Sequence, residues 1–213
     1  MYAVVQDGVV QKTRGMPKWF DSDGNQITDN SVFIEDGIYP LDTTPPSYDP
    51  DTQYIQEQSM DKWTIETDYV KKTYDVIDRS LDDVKRIFVM KIENERINRT
   101  KLMPWTVPST GTEVEVKLSE DAPSKPRQTW LSGTSSWGVA KVQEGNSDAT
   151  DDLIAADDST HTMTASEWVE FGKAIKSWIK DNLMTAKYHK GNIEDQTTVD
   201  DVVNYDYSTD WPS

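Results

Sequence analysis

The chain has 213 residues, a formal net charge of −16 at pH 7 and no cysteine; its pI is near 4.4 and its mean hydropathy −0.73. Without cysteine there is no disulfide, thiolate nucleophile or cysteine zinc site, and two histidines far apart in sequence, His161 and His189, argue against a histidine metal cluster within one chain. Strong acidity with no basic patch argues against nucleic acid as a partner, and no run approaches the ~20 apolar residues of a membrane span.

The acidic residues are scattered over the whole length, which reads as a solvated surface in preference to an acidic mimic of DNA. Hydrophobic residues make up only 35% of the chain, so eight Trp and nine Tyr are expected to anchor small aromatic cores. The opening MYAVVQDGVV lacks the basic start and apolar core of a signal peptide. A soluble product made in a cytoplasm is the expectation.

In chain order, Tyr2 to Val5 and Val9-Val10 flank Asp7-Gly8, a hairpin turn in which Gly tolerates the positive φ of type I′. Lys18-Trp19-Phe20 and Ile27 flank Asp23-Gly24-Asn25, a second hairpin. Val32-Phe33-Ile34 and Ile38-Tyr39 flank Asp36-Gly37, a third. Residues 1–39 therefore read as a small β-meander module. Pro40, Pro45, Pro46 and Pro50 make 40–53 an extended Pro-rich connector, since such density prevents helix and central strand. Trp63-Thr64-Ile65 and the run from Tyr69-Val70 to Tyr74-Val76 read as two strands of a β-hairpin extension over 54–79.

Ser80 caps a helix with an apolar stripe of Leu81, Val84, Phe88 and Ile92, which ends between Thr100 and Pro104; a domain boundary is placed near Ser80. TEVEVKL, from Thr112 to Leu118, alternates as a half-buried strand. Residues 126–143 read as a helix weakened by Gly133 and Gly138. Residues 146–152 are a polar loop, and strands are expected at Leu153-Ile154-Ala155 and Met163. Thr164 with Glu167 forms a capping box. The helix it opens has Trp168, Phe171, Ile175, Trp178, Ile179, Leu183 and Ala186 on one stripe, read as core. A loop around Gly191 precedes a short helix begun by Thr198 and Asp201. The fold class is α+β: a small N-terminal β-meander module, a Pro-rich connector, and a C-terminal α+β domain over 80–213 with two long helices.

Candidate chemistry is sparse. Asp21, Asp23 and Asn25 place oxygens at alternate positions, as a calcium loop does, but the Gly and Glu an EF-hand needs later in its loop are Gln26 and Val32 here. The hairpin turn is the preferred reading. Asp148, Asp151, Asp152, Asp157 and Asp158 cluster with no preferred pair for acid–base work and read as a solvated loop. His189, with Lys187 and Lys190, is read as facing helix-end carbonyls. The chain contains no G-x-S-x-G, P-loop or G-x-G-x-x-G. No catalytic, cofactor-binding or metal-binding residue is assigned, and no cofactor is expected. The candidate interface residues are Trp19, Phe20, Tyr48, Trp105, Trp130, Trp137 and Trp211; for Trp105, Trp130, Trp137 and Trp211 subunit contact, sugar stacking and local packing stay open.

From Leu81 onward, five segments follow a recognisable order: LDDVKRIFVMKIENERINR, TGTEVEVKL, RQTWLSGTSSW, DLIAADDSTHTMTASEWVEFGKAI and QTTVDDVVNYDYSTDWP. In order and spacing they resemble a bacteriophage tail-associated domain of unknown function that has a Thr-Ala-x-Glu-Trp helix and a Trp-Pro close. The N-terminal YAVVQDGVV, PKWFDSDGN and YDPDTQ resemble the β-module that precedes it in tail and tail-fibre gene clusters. Departures are the loop at 143–152 and the aromatic load of the last long helix.

The resemblance implies a non-enzymatic structural component of the virion, a tail, baseplate or fibre-attachment protein located in the tail region. Its implied partners are other phage tail or fibre proteins and possibly copies of itself, with no nucleic acid and no membrane. The alternatives are a tail-fibre assembly chaperone absent from the finished particle, or a glycan-binding receptor module.

Overall fold

A computed structural model describes residues 1–118 and 126–213, with the side chains of residues 126–130 outside that description. The chain is α+β and divides into two units, Met1–Ser80 and Leu81–Ser213. In chain order the first unit holds β1 (Tyr2–Gln6), β2 (Val9–Arg14), α1 (Asn30–Glu35), β3 (Ile38–Asp42) and β4 (Gln53–Glu57). After a single 3-10 turn at Met60–Lys62 come β5 (Thr64–Ile65), β6 (Val70–Lys71) and β7 (Tyr74–Asp78).

Asp7 and Gly8 both have positive φ, +52° and +75°, as a type I′ turn requires, and β1 and β2 pair across them. β3 runs antiparallel along the other side of β1. β6 runs parallel to β3 and β5 antiparallel to β6, giving the order β2-β1-β3-β6-β5. β5 and β6, from the segment 54–79, thus share one sheet with β1, β2 and β3. Ala3, Val10, Trp63 and Val70 are its buried core. Tyr2 lies one residue out of phase with Ala3, so it serves the opposite face. There Tyr2 meets Phe33, and Phe33 meets Trp19, edge to face at 5.9 and 5.1 Å between ring centroids. β4 and β7 form a separate two-stranded ribbon.

Two expectations for this unit are corrected. Val32-Phe33-Ile34 is not a hairpin strand but lies in α1. Asp29 caps that helix by accepting from Ser31 N at 2.9 Å, and Phe33 is fully buried beneath it. Gly37 then passes so close to β1 that a Cβ would stand 2.5 Å from Val5 O. The cap, the anchor and the close crossing outweigh the strand preference of a β-branched run. Pro40 does not keep its segment out of the sheet either: it lies in β3, at the centre. Val5 N donates to Gly37 O at 2.7 Å and Leu41 N to Met1 O at 3.1 Å, so odd-numbered β3 positions bond β1. Pro40 falls between them, and pairing with β6 begins only at Leu41, so no ladder bond asks for its missing N–H.

The second unit holds α2 (Leu81–Lys101), β8 (Leu102–Val107), β9 (Thr112–Lys117), α3 (Pro126–Gln143), β10 (Thr150–Ile154), β11 (Thr160–Thr164), α4 (Ala165–Asp195) and α5 (Val199–Val203). β8 was not anticipated because Pro104 stands in it. Leu118 N donates to Lys101 O at 2.7 Å, so odd-numbered β8 positions bond β9 and Pro104 lies between them. The expected loop around Gly191 is likewise absent, since α4 runs through it to Asp195.

Two cores share α4. Met103, Val107, Val116, Leu118, Leu131, Leu153, Met163, Trp168 and Phe171 form one, between α3, the two hairpins and the first half of α4. Val84, Phe88, Ile92, Ala186, Ile193, Val202 and Trp211 form the other, between α2, α5 and the second half of α4. At 31 residues α4 is about 46 Å long, enough to span both.

Candidate functional site

The start of α4 is fixed by Glu167. Its carboxylate accepts from Thr164 N (2.7 Å), Thr164 Oγ1 (2.9 Å) and, across 58 residues, Ser109 N (2.6 Å) in the β8–β9 turn. Burial pushes this carboxyl up, but the hydrogen bonds from Thr164 and Ser109 outweigh it and hold the group below the usual range. One side chain thus caps α4 and ties it to a hairpin.

α3 lies against that first half of α4 at glycine distance. A Cβ on Gly138 would stand 2.9 Å from both Ala165 O and Trp168 Cβ, and one on Gly172 would stand 3.2 Å from Ser135 Oγ. The later α3 residue meets the earlier α4 residues, so the helices are antiparallel. Beside this contact lies an open groove of about 560 Å³. Leu131, Ser135 and Val139 of α3 line it, with Val169, Ile175, Ile179, Lys173 and Lys176 of α4 and Leu118 after β9.

The groove exposes an inversion in α4. The inward stripe runs Trp168, Phe171, Ile175, Trp178, Asn182, Ala186, His189 and Ile193, and its polar members Asn182 and His189 are 0% and 1% exposed. Ile179 and Leu183, expected in the core, are 43% and 50% exposed. They are turned outward with Ile175 at one edge, at four-residue steps. Lys173, Lys176 and Lys180 are exposed beside them and form no ion pair among the described residues. An exposed apolar row beside a buried polar one is the informative arrangement, because ordinary packing gives the reverse.

His189 is not at a helix end, as expected, but lies in the core six residues before one. Its Nε2 is 3.0 Å from Thr209 O, a group that only accepts, so Nε2 carries the proton. Nδ1 then accepts from Tyr205 Oη at 2.7 Å, and Tyr205 accepts from Asn192 Nδ2 at 2.7 Å. The chain of bonds holds residues 205–209 against α4. Trp211 Nε1 adds a bond to Tyr207 O at 2.8 Å. Glu93 of α2 accepts from Arg96 (2.5 and 2.9 Å) and from Lys190 of α4 (2.9 Å). Those hydrogen bonds and charges lower it from 4.5 to about 2.

The seven candidate interface residues are divided between the two units, Trp19, Phe20 and Tyr48 in the first and Trp105, Trp130, Trp137 and Trp211 in the second. Phe20 and Tyr48 are exposed, at 59% and 37%. Trp19 is half-buried against Phe33. Trp105 and Trp137 are half-buried on the α3–α4 core, Trp105 with its ring 5.3 Å from Phe171. Trp211 is withdrawn from any surface: it is buried in the α2–α4 core at 5.5 Å from His189, because the closing segment folds back on α4. The Trp130 side chain lies outside the described residues. Among the described side chains every Trp is buried or half-buried.

The carboxylate clusters are satisfied by their own turns. Asp21 accepts from the backbone of Asn25 (2.8 Å) and Asp23 (2.9 Å), and Asp157 accepts from Ser159 Oγ (2.6 Å) and N (3.0 Å); both are held below the usual range by those bonds. Among the described residues no group of three His, Asp or Glu could hold a metal ion, and no helix is long and apolar enough to cross a membrane.

A family model described as a domain of unknown function, DUF4376, matches residues 125–209. The matched span runs from α3 to just past α5, contains the His189 network and all of the groove's lining except Leu118, and leaves out α2, β8 and β9. No curated protein and no solved structure matches the chain.

Proposed function

We propose that this chain is a non-enzymatic structural component of a bacteriophage virion, a tail, baseplate or fibre-attachment protein that works by contact with neighbouring tail or fibre proteins. The virion assignment rests on the order of the five segments from Leu81 onward. The observation that supports a contact role is the apolar, lysine-flanked row of α4 on a chain of net charge −16. A groove and an exposed row of this kind are what a protein interface uses; area, shape and a few anchors do the work, with no turnover.

The test is mass spectrometry of purified particles from the producing phage. The expected result is the chain at a fixed copy ratio to the tail proteins. Its presence in infected lysate but absence from particles would overturn the reading in favour of an assembly chaperone.

A further inference from the structure

Some cations of the chain pair with a carboxylate, as Lys72 does with Glu57, Lys141 with Glu144 and Lys190 with Glu93. Lys173, Lys176 and Lys180 form no ion pair among the described residues, in a chain of 38 acidic residues against 22 basic ones. At 100° per residue these lysines share one flank of the line made by Ile175, Ile179 and Leu183. The opposite wall is α3, with Ser135 and Val139. The groove therefore has Ile175 and Ile179 on its floor and Lys173 and Lys176 along one side, and exposed Leu183 and Lys180 continue the two rows one turn further along α4.

From Ile175 to Leu183 the row is about 12 Å long, a little over two helical turns. Charge decides between occupants. Two copies meeting through this same patch about a two-fold axis would set one lysine rail near the other. A helix carrying apolar anchors on one face and carboxylates along their flank would complement both parts at once.

We propose that the α3–α4 groove docks an acidic amphipathic helix of a partner protein, with its apolar anchors against Ile175, Ile179 and Leu183 and its carboxylates on Lys173, Lys176 and Lys180. This rests on the reading that the chain acts through protein contacts, and it names the contact.

The experiment uses the full chain and two labelled synthetic helical peptides of about five turns. Both carry leucine at positions i, i+4 and i+8; one has Glu along the flank and the other Lys. Fluorescence anisotropy is expected to show saturable binding of the Glu peptide, and binding of the Lys peptide weaker by about tenfold or more. Ile179→Asp is expected to weaken the Glu peptide by about tenfold or more. The triple change Lys173→Glu, Lys176→Glu, Lys180→Glu is expected to invert the preference.

Equal binding of the two peptides, no binding of either, or indifference to both sets of substitutions with an unchanged circular dichroism spectrum would overturn the proposal. So would a dimer in sedimentation that Ile179→Asp dissolves, since the face would then belong to a second copy. Failure of peptide binding with the chain still present in particles removes the groove and leaves the virion reading. Binding intact with the chain absent from particles does the reverse.

Discussion

The two sides of α4 depart from the usual pattern at particular positions. Its inward side holds Asn182 and His189 with no more than 1% exposure, while its outward side displays Ile179 and Leu183 at 43% and 50%. Both sides belong to one helix and lie within a few residues of each other. Hydrophobicity alone therefore does not decide which stripe is buried. The inward stripe follows α3 at one end and α2 at the other, and nearby chain supplies partners to its two polar residues: Trp178 O for Asn182 Nδ2, and Tyr205 and Thr209 for His189. The outward stripe has no such constraint from folding and is free to serve something else.

The strongest way to break the contrast is to remove His189. In His189→Ala, Thr209 O and Tyr205 lose their partner and a ring-sized void opens beside Trp211. The expected cost is about 3–4 kcal/mol, from the void plus a buried polar group left unpaired. Chemical denaturation should show it, and limited proteolysis should cut residues 205–213 first. His189→Phe should recover part of the packing and none of the attachment.

Glu167 comes next. Glu167→Ala removes the reciprocal half of the capping box of α4 and strips Ser109 N of its acceptor, with an expected loss of about 2–3 kcal/mol. Glu167 also gives the chain part of its acid sensitivity. A carboxyl held below its ordinary value contributes stability that is complete above that value, near 4.5, and is lost as pH falls through the lowered one. Glu93, lowered to about 2, contributes with the same sign between pH 4.5 and 2. Acid unfolding of the wild type should therefore be steeper below pH 4.5 than that of Glu167→Gln, and the double variant with Glu93→Gln should be flatter still.

A smaller change sharpens the comparison. Asn182 donates from Nδ2 to Trp178 O at 2.9 Å, yet its Oδ1 is buried with no partner. Replacing it with leucine removes an unsatisfied acceptor at similar volume. Asn182→Leu is expected to stabilise the chain by about 1 kcal/mol, read as a rise in the denaturation midpoint at unchanged slope.

Much of this was legible where a signal is local. Asp7-Gly8 declares its turn through φ, Thr164 and Glu167 declare the start of α4, and the alternation of TEVEVKL declares β9. What was missed depends on partners distant in sequence. Pro40 and Pro104 read as breakers until the ladder shows that each falls between bonded positions. Gly138 reads as a weakness in α3, and its reason is a neighbouring helix at 2.9 Å from where its Cβ would be. The groove was hidden for the same cause. A stripe drawn through Ile175, Ile179 and Leu183 repeats at helical steps just as one drawn through Trp178, Asn182 and His189 does, and only the partners of Asn182 and His189 show which is inside. One sign was present: Lys173, Lys176 and Lys180 hug the first stripe, where a buried face would exclude them.

The smallest expected effect is the most telling. Ile179→Thr and Leu183→Gln alter residues near half exposure, so each should shift stability by no more than about 0.5 kcal/mol. Had these residues been core, as their periodicity suggests, truncation or a buried amide would cost about 2–5 kcal/mol. Chemical denaturation of the free chain therefore separates the two assignments by a margin larger than its error. If both variants keep the wild-type midpoint and also lose the Glu peptide, the apolar row is dispensable for folding and retained for contact. A loss above about 2 kcal/mol would instead mean that another part of the chain covers Ile179 and Leu183 in solution, and the contrast between the two sides of α4 would vanish with the groove.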